Sequence, residues 1–238
     1  HTGHSDERTV RLLDVETGAI SKLTANTKYE SYGVFSPDGS KLAYWYSRDG
    51  DGSNQNEIFV APASGGAGRD VARAIDRNIL RDLWMPDGRA LLLGGHDGTR
   101  TSLWLQPLEG PARRLELGDL NPAWSFWVDV AVGPHGEIAI AGSTRGRPSE
   151  LYLMASADDA PRRLTSFNDE IASRALGRSE AIHWKGPDRF EEDGVRDIPT
   201  EALLPGMVLE VRAADTIPAD GVVTDGNSSV DVALLTGE

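Results

Sequence analysis

Apolar and polar residues alternate along this chain in short runs broken by turns, and the breaks recur at a nearly fixed interval. Phe35-Ser36-Pro37-Asp38-Gly39 leads into Lys41-Leu42-Ala43-Tyr44-Trp45-Tyr46. Trp84-Met85-Pro86-Asp87-Gly88 leads into Arg89-Ala90-Leu91-Leu92-Leu93-Gly94, and Val132-Gly133-Pro134-His135-Gly136 into Glu137-Ile138-Ala139-Ile140-Ala141-Gly142. The three prolines are spaced by 49 and 48 residues. A fixed period of this length is the mark of a repeat architecture. Proline presets φ in such a turn and glycine takes the positive φ that closes it, so each segment predicts a hairpin.

Each unit continues alike. A polar loop is followed by a third strand, Glu57-Ile58-Phe59-Val60-Ala61-Pro62, Ser102-Leu103-Trp104-Leu105-Gln106-Pro107 or Glu150-Leu151-Tyr152-Leu153-Met154. A small-residue turn then precedes a short basic strand such as Ala112-Arg113-Arg114-Leu115 or Pro161-Arg162-Arg163-Leu164-Thr165. Short alternating strands around tight turns predict four-stranded antiparallel blades over residues 35–165. Upstream, Thr9-Val10-Arg11-Leu12-Leu13-Asp14-Val15 and Ala19-Ile20-Ser21-Lys22-Leu23-Thr24 read as a third and a fourth strand, so the chain is expected to open mid-blade. No helical stripe of period 3.6 competes over residues 8–166. The predicted fold is all-β: a partial β-propeller of about three and a half four-stranded blades, followed by a short β-rich segment.

Charge divides the chain. Residues 191–238 hold eleven acidic residues against Arg196 and Arg212, a net of −9 out of −13 for all 238 residues, and none of the sixteen aromatics. Such a break predicts two pieces of different origin, 1–190 and 191–238. The acidic balance argues against nucleic acid, whose phosphates it would repel. With no cysteine, disulfides, thiolate catalysis and Cys-ligated zinc are excluded. No run reaches the ~18 apolar residues of a membrane span. His1-Thr2-Gly3-His4-Ser5-Asp6-Glu7 has no apolar signal region and reads as a cut end. A soluble, cytoplasmic chain is the expectation.

Two resemblances attach to these pieces. Leu164-Thr165-Ser166-Phe167-Asn168-Asp169, followed by Glu180-Ala181-Ile182-His183-Trp184-Lys185-Gly186-Pro187-Asp188-Arg189, resembles the propeller exit of prolyl oligopeptidase-family serine peptidases. With the Ser-Pro-Asp-Gly turn, that resemblance covers roughly residues 8–190. In that family an α/β-hydrolase domain follows; here Phe190-Glu191-Glu192-Asp193-Gly194-Val195 gives way to something else. Arg196-Asp197-Ile198-Pro199-Thr200-Glu201-Ala202-Leu203-Leu204-Pro205-Gly206-Met207-Val208, Asp215-Thr216-Ile217-Pro218-Ala219-Asp220-Gly221-Val222-Val223 and Ser228-Ser229-Val230-Asp231-Val232-Ala233-Leu234-Leu235-Thr236-Gly237-Glu238 resemble the actuator domain of heavy-metal P-type ATPases. Met207 departs from the Asp usual after Pro-Gly, Ala214 from a common Gly, and Val232 from a usual Glu. The resemblance implies that Thr236, Gly237 and Glu238 form the actuator loop, whose Glu aligns water on an aspartyl-phosphate of another domain.

Catalytic chemistry of the chain's own is not expected. No Gly-x-Ser-x-Gly elbow, Asp-Lys-Thr-Gly-Thr segment or Walker-type loop occurs. Asp49-Gly50-Asp51-Gly52-Ser53-Asn54 places oxygen ligands at alternate positions, but Asn54 stands where a calcium loop needs its turn Gly and Val60 where it needs the bidentate Glu. We read it as an inter-strand loop. His1 and His4 read as a frayed terminus, and His96, His135 and His183 are isolated in sequence. No cofactor or metal is expected. Trp84, Trp104, Trp124, Phe126 and Trp127 are expected mainly in the inter-blade core, although the period-2 spacing of Trp124-Ser125-Phe126-Trp127 cannot bury every ring. Unpaired blade edges predict self-association or a protein partner, and the peptidase resemblance implies a peptide substrate of the parent. Two functional readings stand: a non-catalytic propeller that gates or scaffolds a serine peptidase, and a piece of a metal-pumping ATPase.

Overall fold

A computed structural model describes residues 8–174, 183–185 and 191–193, the last two segments by their backbone. The chain divides into two units, His1–Asp193 and Gly194–Glu238, and every described residue belongs to the first.

That unit is built from hairpins. β1 (Arg11–Leu13) and β2 (Ile20–Lys22) pair as a two-stranded sheet. Blade one comprises β3 (Glu30–Phe35), β4 (Lys41–Ser47), β5 (Asn56–Pro62) and β6 (Arg69–Asp70), antiparallel in sequence order. Blade two repeats the order with β7 (Ile79–Trp84), β8 (Ala90–Asp97), β9 (Arg100–Pro107) and β10 (Arg113–Arg114). In blade three the innermost strand is split into β11 (Asn121–Pro122) and β12 (Val130–Val132). Both halves pair with β13 (Ile138–Thr144), which is followed by β14 (Arg147–Met154) and β15 (Arg162–Arg163). A single-turn helix, α1 (Asp169–Ala172), and a separate hairpin of β16 (His183–Lys185) and β17 (Glu191–Asp193) come after. Three whole blades and an outer half-blade are what the period predicted. The fourth strands are shorter than the sequence suggested, two residues each.

The turns follow their chemistry. Gly39, Gly88 and Gly136 adopt φ of 69°, 65° and 92°, and each donates its N–H to the carbonyl three residues back. A carboxylate braces every turn. Asp38 accepts from Ser36 Oγ at 2.6 Å and Ser40 N at 3.0 Å, and Asp87 accepts from Arg89 N at 3.0 Å. Where His135 replaces the aspartate, Glu137 accepts the His135 N–H at 3.0 Å instead.

Blades one and two each lie between two neighbours, so their central strands are apolar on both faces and read as near-continuous hydrophobic runs. Leu42, Tyr44 and Ala61 of blade one pack toward Leu23 of the half-blade. Ala43, Trp45 and Ile58 face the other way, onto Ile79, Trp84, Leu91, Leu93 and Trp104 of blade two. Leu92 and Leu103 then meet Val128, Val130, Ile138, Ile140 and Met154 of blade three.

A polar bracket accompanies each apolar interface. The amide of Asn56, at the start of a third strand, donates to Asn78 Oδ1 at 2.9 Å, just before the next innermost strand. Thr101 N donates likewise to Asn121 Oδ1 at 2.9 Å, and Val10 N to Glu30 Oε2 at 2.9 Å. Glycine makes room for two of these brackets: a Cβ on Gly95 would lie 2.5 Å from the Asn78 carbonyl oxygen, and one on Gly142 2.6 Å from that of Asn121. Asn121→Ala is expected to orphan the buried Thr101 amide and cost about 1–3 kcal/mol. Asn121→Asp, which keeps the acceptor, should retain most of the stability in chemical denaturation.

Candidate functional site

The most unusual surface lies where the innermost strand of blade three is interrupted. Residues 124–128 leave the sheet as a closed loop, between Ala123 and Asp129, which both bond to Ala141 of β13. Asp129 N donates to the Ala123 carbonyl at 2.8 Å, Ser125 N to that of Trp127 at 3.3 Å, and Trp124 bridges Val128. The alternation predicted for Trp124-Ser125-Phe126-Trp127 is therefore not that of a strand. Trp84 and Trp104 are core residues as expected, whereas Trp124 is 51% exposed and Phe126 60% exposed, which corrects the expectation of core burial for these two. A closed loop presents successive side chains on several sides, so burying Val128 and half-burying Trp127 leaves the other two rings outside.

The loop reaches across blade two. Trp127 meets Tyr32 of blade one edge-on with ring centroids 4.6 Å apart, and Tyr32 in turn meets Trp45 at 4.7 Å. Tyr32 holds this place with a φ of 53°, beside a register shift between Ser31 and Val34. Phe126 stands edge-on to Trp127 at 4.8 Å, and Trp124 to His96 at 4.4 Å. Beneath lies Arg81 of β7, its guanidinium carbon 5.9 Å from the Trp127 ring centroid and its Nη2 3.4 Å from the Val130 carbonyl. Gly94 lets the loop approach: a Cβ there would sit 3.0 Å from that of Val128. The two exposed rings thus stand on a second layer of rings fixed by three blades.

Three buried polar atoms here, Arg81 Nε, His96 Nε2 and Asp82 Oδ2, have no hydrogen-bond partner among the described residues. Asp82 is almost wholly buried between blades one and two, where its Oδ1 accepts the Trp45 indole N–H at 2.6 Å. Burial disfavours its charge more than the indole and Arg81 favour it, raising its pKa to about 6.

The sequence flagged the aromatic loop but not Arg81, Asp82 or Tyr32, whose roles depend on neighbours 37 or more residues away. The Asp49–Asn54 segment forms an inter-strand loop, with Asp49 paired to Arg73 at 3.0 Å and Asp51 accepting from Ser53 N at 3.0 Å. His135 lies in its turn, far in sequence from His96. Thr236, Gly237, Glu238, His1 and His4 lie outside the described residues.

A raised pKa in the folded state means that the Asp82 contribution is fully present below the unfolded pKa near 3.8 and is lost as pH rises through about 6. Asp82→Asn keeps an acceptor for Trp45 and carries no charge. Thermal unfolding between pH 4 and 7.5 should show the wild type losing about 1–3 kcal/mol that the variant does not lose.

Residues 187–238 match the P-type ATPase actuator domain. The silver exporting P-type ATPase of Salmonella typhimurium is 43% identical over 51 residues, 21% of this chain and 6% of that protein. Dipeptidyl-peptidase 5 of Aspergillus fumigatus is 36% identical over 155 residues, 62% of this chain and 20% of that protein. The acylaminoacyl peptidase of Pyrococcus horikoshii superposes with a TM-score of 0.57 at 17% identity, over 80% of this chain and 28% of its own. This chain therefore spans a small part of each of these three proteins. It is composite in its likenesses: a propeller with the fold found in acylaminoacyl peptidase, followed by a segment similar to the actuator domain of P-type ATPases.

Proposed function

We propose that residues 1–190 act as a non-catalytic propeller of the prolyl oligopeptidase-like kind, gating or scaffolding the access of peptides, and that residues 191–238 are an actuator-like appendage joined near 190–196. The supporting observation is the exposed pair Trp124 and Phe126, held rigidly over the innermost strands of three blades. Fixed aromatic rings offer a large contact area for little loss of conformational freedom. No cofactor or metal enters this reading. Turnover of an aminoacyl-naphthylamide, an acyl ester or ATP that copurifies with the chain would overturn it.

Association through the open blade faces belongs to the same reading. Leu151 and Leu164 of blade three and Leu13 and Ile20 of the half-blade are exposed, at faces like those that bury apolar residues between the other blades. At about 50 µM the full chain should scatter light as an oligomer and bind a hydrophobic dye. A dye-silent monomer would refute the association.

The second reading rests on the match over residues 187–238. Here the meaningful part is the actuator segment of a metal-transporting ATPase, with Glu238 assisting aspartyl-phosphate hydrolysis on another domain. Trp124→Ala/Phe126→Ala separates the two. Both rings are exposed, so the double variant should fold with little loss. On the first reading it should weaken capture of extended, apolar peptides about tenfold or more, and on the second it should change nothing.

A further inference from the structure

Away from the aromatic loop, blade one buries an acidic pair that the function above does not use. Glu57 of β5 is 1% exposed. Its Oε1 accepts Arg48 Nε at 2.6 Å, while its Oε2 finds no donor among the described residues, Arg73 Nη1 being 3.9 Å away. Asp70 of β6 is the diagonal neighbour, since Phe59 pairs with Asp70 and Glu57 lies two positions from Phe59 on the same face. Its Oδ1 accepts the amides of Ala72 at 2.9 Å and Arg73 at 3.0 Å; its Oδ2 is buried without a donor. Each of the two carboxyl groups thus holds a buried oxygen without a donor, and two ionised carboxylates, being acceptors only, cannot supply one to each other.

We propose that Glu57 and Asp70 share one proton, and that this proton latches the outermost strand of blade one and the connector to blade two onto the rest of the blade. The charged groups facing the pair are few. Arg48 and Asp49 come from the turn Arg48–Gly50, Arg73 from the turn Arg73–Ile75, and Asp76 from the residue after it. Arg48 bridges Glu57 to Asp76 at 2.7 Å, and Arg73 is engaged with Asp49 at 3.0 Å. Four carboxyl groups therefore meet two guanidinium groups, and only Asp49 and Asp76 have solvent to help them carry charge. Burial and the neighbouring Asp70, opposed by Arg48, hold the Glu57 carboxyl up at about 7.

Loss of the proton leaves two buried anions side by side. β6 is two residues long and is the element least able to resist their repulsion. Parting it from β5 would release the Asp70 side chain that organises Ala72 and Arg73, and with it the path into β7. The folded pKa is the higher one, so the stabilisation is complete below the unfolded value near 4.5 and disappears as pH rises through about 7.

The test uses the full chain and hydrogen exchange of the amides of residues 71–78, corrected for the intrinsic rate at each pH. Between pH 5.5 and 8.5 the wild type should lose at least about tenfold in protection there, while β8 and β9 change much less. Glu57→Gln can donate to Asp70 permanently and accept from Arg48, so its loss should stay below about twofold. Asp70→Asn gives Glu57 a donor in the same place and should flatten the profile equally, which keeps the test alive if either variant folds poorly. Because one proton is shared, the double variant should gain nothing beyond either single variant. Wild-type and variant profiles that run parallel would overturn the proposal, as would flattening that adds in the double variant.

Discussion

The described unit depends on the stacking of its blades, which covers blades one and two on both faces. A four-stranded sheet open to water on one side can alternate apolar and polar residues, but a sheet stacked between two others cannot. Hence β4 carries Leu42, Ala43, Tyr44 and Trp45 in succession, all buried, and β8 carries Leu91, Leu92 and Leu93 likewise. Alternate residues of one strand serve alternate interfaces. Removing apolar surface from water stabilises these interfaces at roughly 25 cal/mol per Å². Because both faces depend on neighbours, no blade is an independent folding unit.

Apolar packing alone would let neighbouring blades slide. The polar brackets oppose that, since each ties an otherwise unsatisfied strand amide to a side chain at the start of the next innermost strand. Asn56 to Asn78 and Thr101 to Asn121 are the same bond one repeat apart. The indole of Trp45 donating to Asp82 adds a buried bond across the first of these interfaces. A misaligned blade would leave these donors buried and unpaired, which costs more than their pairing yields.

The repeat was legible because its punctuation is local. Pro37, Pro86 and Pro134 mark tight turns whose geometry is decided within five residues, and the strands on either side inherit their register from them. The brackets were less visible: Glu30, Asn78 and Asn121 each act on a partner about twenty residues earlier. Of the candidate site, Trp124-Ser125-Phe126-Trp127 stood out as a cluster of rings, but its conformation did not. A period of 2 is shared by strands and by short irregular segments, and only the pairing of β11 and β12 with β13 shows that the strand breaks there. Arg81, Asp82 and Tyr32 carried no signal, since single charged or aromatic residues inside a strand pattern have no local mark of function. The Thr236-Gly237-Glu238 motif was the opposite case, a local signature matched by the actuator likeness of residues 187–238.

The break in the innermost strand of blade three also explains why the aromatic loop forms at all. An innermost strand has a neighbour on one edge only, so its other edge can be interrupted without breaking a ladder. β13 bonds to β11 at Asn121 and Pro122, to Ala123 and Asp129 through Ala141, and to β12 from Val130, and residues 124–128 are free to leave the sheet. Pro122 is compatible with such an edge because it has no N–H to offer on the open side. The excursion then needs an anchor, and Val128 supplies it by packing on Gly94 in blade two, where any larger residue would push the loop away. Trp127 extends the anchorage to Tyr32 in blade one. With those two residues fixed inward, the loop's closure turns Trp124 and Phe126 toward solvent, so their exposure follows from the anchoring.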